Sequence, residues 1–138
     1  MRILKIGSLI STLFCLLILA NQPVYAYSYT GQKICGTFYV NYRWGGNLID
    51  VHKRGFQQAI YDWNISQQKR NFRYTGGSAK GALDSYSSND YIEYGYTYVI
   101  YDNNNCVTSW VSKINKYYTY THNEIIARSV GGHELGHT

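Results

Sequence analysis

Two histidines spaced four apart, with glutamate directly after the first, constrain this chain more than any other feature. They lie in Gly131-Gly132-His133-Glu134-Leu135-Gly136-His137-Thr138. His133 and His137 can reach one point in space only if the backbone between them is helical, since a helix stacks residues i and i+4 one turn apart. Upstream, Thr121-His122-Asn123-Glu124 sets threonine three residues before glutamate, the pattern of a capping box, and predicts a helix starting near His122. Along that helix Ile126, Val130, His133 and His137 fall at spacings of four, three and four and share one stripe. Gly131, Gly132 and Gly136 weaken helix propensity by about 1 kcal/mol each relative to alanine. Their use there points to close backbone packing beneath the stripe.

The residue types match a definite chemistry. Neutral imidazoles bind zinc without cancelling its charge, and a zinc-bound water has a pKa near 7, so an adjacent carboxylate can take its proton. On this reading His133 and His137 are metal ligands, Zn2+ is the cofactor, and Glu134 is the general base. A third ligand is needed. His122 cannot supply it, because eleven residues at 1.5 Å each put it about 16 Å from His133 along the same helix. His52, on a different predicted helix, stays open as a candidate.

The start of the chain sets its compartment. Arg2 and Lys5 precede an uncharged, mostly apolar run from Ile6 to Ala20, and Val24-Tyr25-Ala26 offers small residues where a signal peptidase cuts. Residues 1–26 therefore read as a secretory signal peptide, too short in its apolar run for a comfortable membrane span. The expected product is a secreted, extracellular monomer of 112 residues, long enough for one small domain and not membrane-inserted. It keeps two cysteines, Cys35 and Cys106, and an even count in an exported chain reads as a disulfide. Its net charge is +3, from basic residues scattered as Lys53-Arg54, Lys69-Arg70, Arg73, Lys113 and Lys116. Scattered charge describes a solvated surface; nucleic-acid binding would need it gathered on one face.

Period changes divide the rest. Gly36 to Trp44 alternates, with Phe38, Val40, Tyr42 and Trp44 on one parity, and predicts a strand ended by Gly45-Gly46. From Asp50 to about Gln68 the period becomes helical, through Val51, Phe56, Ala59, Ile60 and Trp63, with Asp50 as N-cap. Phe72-Arg73-Tyr74 is a short second strand, and the Gly/Ser/Asn-rich stretch Gly76 to Asp90 reads as a long loop. In Asp90 to Asp102 the shared parity of Ile92, Tyr94, Tyr96, Tyr98 and Ile100 predicts that this face packs inward. Asp102-Asn103-Asn104-Asn105 reads as a turn, and Ser109 to Tyr118 as a further strand. The expected architecture is α+β: a twisted, mostly parallel sheet of about four to five strands with two long helices.

Val130 to Thr138, with an upstream strand–helix–strand and a helix containing Ala59-Ile60-Tyr61-Asp62-Trp63-Asn64, resembles the matrixin-like branch of the metzincin zinc proteases. The likeness spans most of residues 27–138, but only His133-Glu134-Leu135-Gly136-His137 is a sharp motif. It implies a metzincin-like N-terminal subdomain, protein or peptide substrates, and hydrolysis of internal peptide bonds by a zinc-activated water. In that family the motif runs on to a glycine and a third histidine, so 27–138 is expected to be the N-terminal part of a catalytic domain, ending inside the metal motif. The two visible ligands then imply weak zinc binding and little activity. The family also implies an antiparallel edge strand that pairs with substrate backbone, here some part of Tyr96 to Tyr101. The rival expectation is a secreted, non-enzymatic module whose tyrosines bind cell-wall or carbohydrate ligands; the chain has 16 tyrosines, enough to build such a surface.

Overall fold

The computed structural model describes residues 33–90, 92–119 and 123–138; the expected signal segment, Thr121 and His122 lie outside them. Five strands form one sheet: β1 (Tyr39–Trp44), β2 (Asn71–Tyr74), β3 (Gly81–Tyr86), β4 (Gly95–Tyr101) and β5 (Val107–Asn115). Two helices, α1 (Asp50–Ser66) and α2 (Glu124–Leu135), complete it. The strand order is β2-β1-β3-β5-β4, parallel throughout except for β4, which runs antiparallel to β5 at one edge. This is the α+β architecture expected, a mostly parallel sheet with two helices.

Both helices cover one face. Val40 and Tyr42 of β1, Phe72 of β2, Leu83 of β3, and Trp110 and Ile114 of β5 meet Phe56, Ala59 and Ile60 of α1 and Ala127 and Leu135 of α2 in a single core. The helices themselves touch backbone to backbone. A Cβ on Gly55 would lie 2.7 Å from the Ala127 carbonyl carbon and 2.7 Å from its Cβ, so only glycine admits this crossing. The glycine that interrupts the helical pattern of α1 is thus the point of closest approach. Arg54–Glu124 and Arg128–Asp62, each at 2.7 Å, flank the contact on the surface, where ion pairs contribute little.

Several boundaries differ from expectation. β1 begins at Tyr39 rather than Gly36. Asp50 is the first residue of α1, not its cap; the N-cap is Ile49, whose amide donates to Ser85 Oγ. The helix expected to start near His122 begins at Glu124 behind Asn123, whose side chain accepts from the Ile126 amide; Thr121 of the expected capping box lies outside the described residues. The stretch assigned to a long loop holds β3, the central strand. All of its residues but the last are buried, so Gly81-Ala82-Leu83-Asp84-Ser85-Tyr86 shows no alternation. The aromatic parity of β4 is also reversed: Gly95, Thr97 and Val99 pair opposite Ile114, Ser112 and Trp110 on the helix-covered face. Tyr98 and Ile100 are correspondingly exposed, as is Ile92 ahead of the strand.

A disulfide joins Cys35 to Cys106, and Lys33 pairs with the backbone on either side of Cys106, donating to Asn105 O and accepting from the Val107 amide. The turn before Cys106 is set by Asp102, whose Oδ1 accepts from the Asn104 and Cys106 amides. With the two cysteines 71 positions apart, the loop-entropy model assigns the bridge about 4 kcal/mol. Replacing both cysteines by alanine is expected to lower the urea unfolding free energy by about that much; an unchanged midpoint would show that backbone pairing alone holds the segment.

Candidate metal and catalytic site

His133 sits in the last turn of α2 and His137 just past it, where Gly136 keeps a helical conformation and the His137 amide donates to Glu134 O at 3.1 Å. The helix thus tightens but does not break before His137, and the two rings stay one above the other. Their Nε2 atoms are 3.1 Å apart, a hydrogen bond in which one ring donates and the other accepts. Two nitrogens bound tetrahedrally to zinc at 2.0–2.1 Å stand about 3.3–3.4 Å apart, so the pair is set almost at ligand spacing. His133 is exposed and His137 half-buried, which leaves the nitrogens within reach of solvent. Among the described residues no third His, Cys, Asp or Glu joins them in a metal-sized group.

Glu134 lies on the neighbouring, buried side of the helix. It belongs to the buried stripe Ala127, Gly131, Glu134, Leu135, which faces the sheet, while Ile126, Val130, His133 and His137 border it. Its carboxylate meets β4 and β5: Thr97 Oγ1 lies 2.9 Å from Oε2 and 2.8 Å from the Glu134 carbonyl oxygen, and 2.8 Å from Ser112 Oγ. Gly95 makes room for this. A Cβ there would lie 2.8 Å from both Lys113 O and Val130 Cγ1 and 3.1 Å from Glu134 Cγ. Burial raises the pKa of Glu134, and the hydrogen bond from Thr97 and the charges of His133 and His137 pull it partly back. A carboxyl with a raised pKa holds a transferred proton more readily.

His52 is a structural residue. It is fully buried, with Nδ1 2.8 Å from Ser85 Oγ and Nε2 2.8 Å from Thr119 Oγ1. Thr119 spends its proton on Asn115 O, so it accepts from His52 Nε2–H, and Nδ1 accepts from Ser85. Both ring nitrogens being taken, the third-ligand role left open for His52 falls away. The reason is topological: Ser85 lies on β3, the strand hidden in the supposed loop. Asn115 extends the network, donating to Ser88 O and Glu93 O and accepting from the amides of Ser88 and Tyr117.

The structure therefore brings His133 and His137 together, sets Glu134 beneath them, and keeps His52 apart. Sequence reasoning missed Gly95, Thr97 and Ser112. The available signal was the parity opposite the tyrosines, Gly-x-Thr-x-Val, which pairs small polar positions with a buried carboxylate. Cavities of about 360, 240 and 370 Å³ open near Tyr39 and Trp110, near Trp63 and Leu135, and near Asp62 and Arg128; none is lined by His133, Glu134 or His137. No protein-family model, curated protein or solved structure matches the chain.

Burial, with the Lys116 charge second, lowers the His52 pKa from 6.5 to about 4, so the folded state holds it neutral at pH 7. The unfolded chain binds its proton first as pH falls, and stability is lost between pH 6.5 and about 4, with no further loss from this group below that. At about 1.4 kcal/mol per pH unit the loss approaches about 3 kcal/mol. Urea unfolding from pH 7 to 4 should show this slope in the native chain, and a His52→Gln variant should lack it; parallel curves would remove His52 as the cause.

Proposed function

We propose that this protein is a secreted zinc-dependent endopeptidase of the matrixin-like metzincin type, in which His133 and His137 hold the ion and Glu134 is the general base. One observation carries the reading: two imidazole nitrogens 3.1 Å apart on one helix end, with a buried carboxylate on the intervening turn. The donor set suits zinc, since imidazole nitrogens are among its preferred ligands. A bound zinc ion would polarise the scissile carbonyl and acidify the attacking water. Glu134 would take that water's proton and return it to the leaving amine. Burial raises its pKa, which favours the return, while Thr97 and the two histidines keep the charged form accessible.

The β4 edge supports a peptide substrate. The Asn115 amide donates to Tyr94 O, and antiparallel alternation then directs the backbone groups of Tyr96 and Tyr98 toward β5. Those of Gly95, Thr97 and Val99 face the open edge, where an extended peptide would add as a further strand. This edge is antiparallel, as the family resemblance led one to expect. The disulfide is compatible with export, and no helix among the described residues is long and apolar enough to cross a membrane.

A second reading, a carbohydrate-binding module, draws on the exposed rings of Tyr94, Tyr98 and Tyr101. It leaves the spacing of the histidine pair without a use.

Zinc titration of the purified chain by calorimetry should show weak binding, because the described residues offer two donors, and either His133→Ala or His137→Ala should abolish it. Glu134→Gln should keep the zinc binding while lowering what peptide cleavage the loaded protein shows by about 10²–10⁴-fold. Absence of zinc binding at the pair, or cleavage that survives Glu134→Gln, sinks this function.

A further inference from the structure

The base has a hydroxyl partner on the edge strand itself. Thr97 is the middle residue of the inward-facing trio of β4, and its hydroxyl lies within hydrogen-bond range of Ser112 Oγ on β5 and of two oxygens of Glu134. A hydroxyl has one proton and two lone pairs. If Ser112 donates to Thr97, the Thr97 proton is left for Glu134, where the carbonyl oxygen and Oε2 stand at 2.8 and 2.9 Å. A charged acceptor draws the stronger bond. Ser112 is fully buried and Glu134 5% exposed, so water competes little for these positions.

We propose that Thr97, oriented by Ser112, is the positioning residue of Glu134: its hydroxyl pins Oε2 and leaves Oε1 to take the proton. The proposal rests on the general-base reading of Glu134 given above. It has a consequence for substrate binding. The backbone of Thr97 faces the open edge while its side chain holds the carboxylate, so one residue joins the strand on which a peptide would pair to the group that activates water. When Glu134 is charged, Thr97 donates to Oε2.

The test uses the whole chain with Thr97→Val, which keeps the shape and removes the hydroxyl, and Thr97→Ser, which restores it. Crystal structures are the first readout, independent of activity. The Glu134 carboxylate should leave its position in Thr97→Val and hold it in Thr97→Ser; a carboxylate unmoved in the valine variant overturns the proposal. Calorimetry should give all variants the native zinc affinity, since neither histidine is touched. In peptide cleavage, Thr97→Val should lower kcat by about 10–100-fold with KM unchanged, and Thr97→Ser should recover most of it, since misplacing a reacting group by about 1 Å costs up to about 100-fold. Full kcat in Thr97→Val alongside loss in Glu134→Gln would refute the positioning role and spare the base. Cleavage indifferent to Glu134→Gln would remove the base, while the crystal structures still decide what Thr97 holds. Should Thr97→Val fail to fold, Ser112→Ala supplies the same readouts: a displaced carboxylate supports the proposal, an unmoved one opposes it.

Discussion

Everything at the candidate site depends on how closely two helices approach. At Gly55 the backbone of α1 meets the backbone and methyl group of Ala127 in α2. That contact brings α2 down onto the sheet until the stripe Ala127–Gly131–Glu134–Leu135 is buried against β4 and β5. A side chain at Gly55 would push the helices apart and draw Glu134 away from Thr97. The approach is fastened further along by Trp63, whose indole donates to Gly132 O at 2.9 Å.

The core is apolar where it carries the fold and polar where it organises loops. Three buried polar groups, His52, Asn115 and Glu134, each draw partners from elements distant in sequence. Isolated, any of them would cost free energy on burial. Satisfied, they set geometry. His52 joins α1 to β3 and to the loop after β5, and Asn115 ties that loop to the segment leading into β4. No buried side-chain nitrogen or oxygen among the described residues lacks a partner. The segments around the site are thus held by hydrogen bonds rather than by side-chain packing alone.

The legible parts of the chain share one property: each buries a single face. The alternation of Val40, Tyr42 and Trp44 announced β1, and the helical recurrence of Val51, Phe56, Ala59, Ile60 and Trp63 announced α1, because one side of each meets the core and the other meets water. Where that condition fails, the pattern misleads. β3 is covered on both sides and small in its residues, so it carried no period and its glycine, serine and asparagine surroundings looked like a loop. β4 lies at an edge, half-covered, and its tyrosines stand on the outer face with their rings over neighbours, Tyr96 against Tyr86 and beside Lys113. Aromatic parity misleads there because hydrophobicity and burial part company: a tyrosine-rich edge strand keeps its apolar bodies at the surface and packs small residues beneath a helix.

Local spacing alone determined that His133 and His137 would share a helix face with Glu134 between them, and that Cys35 and Cys106 were available to each other, since these follow from helical geometry and from a count. Which histidine stays structural, which strand lies at the centre, and which hydroxyl meets the carboxylate were decided only by tertiary structure. Ser85, Thr97 and Ser112 are unremarkable in sequence. Their roles arise from register across the sheet and from the depth to which α2 descends, and neither distance is written in any short stretch of residues.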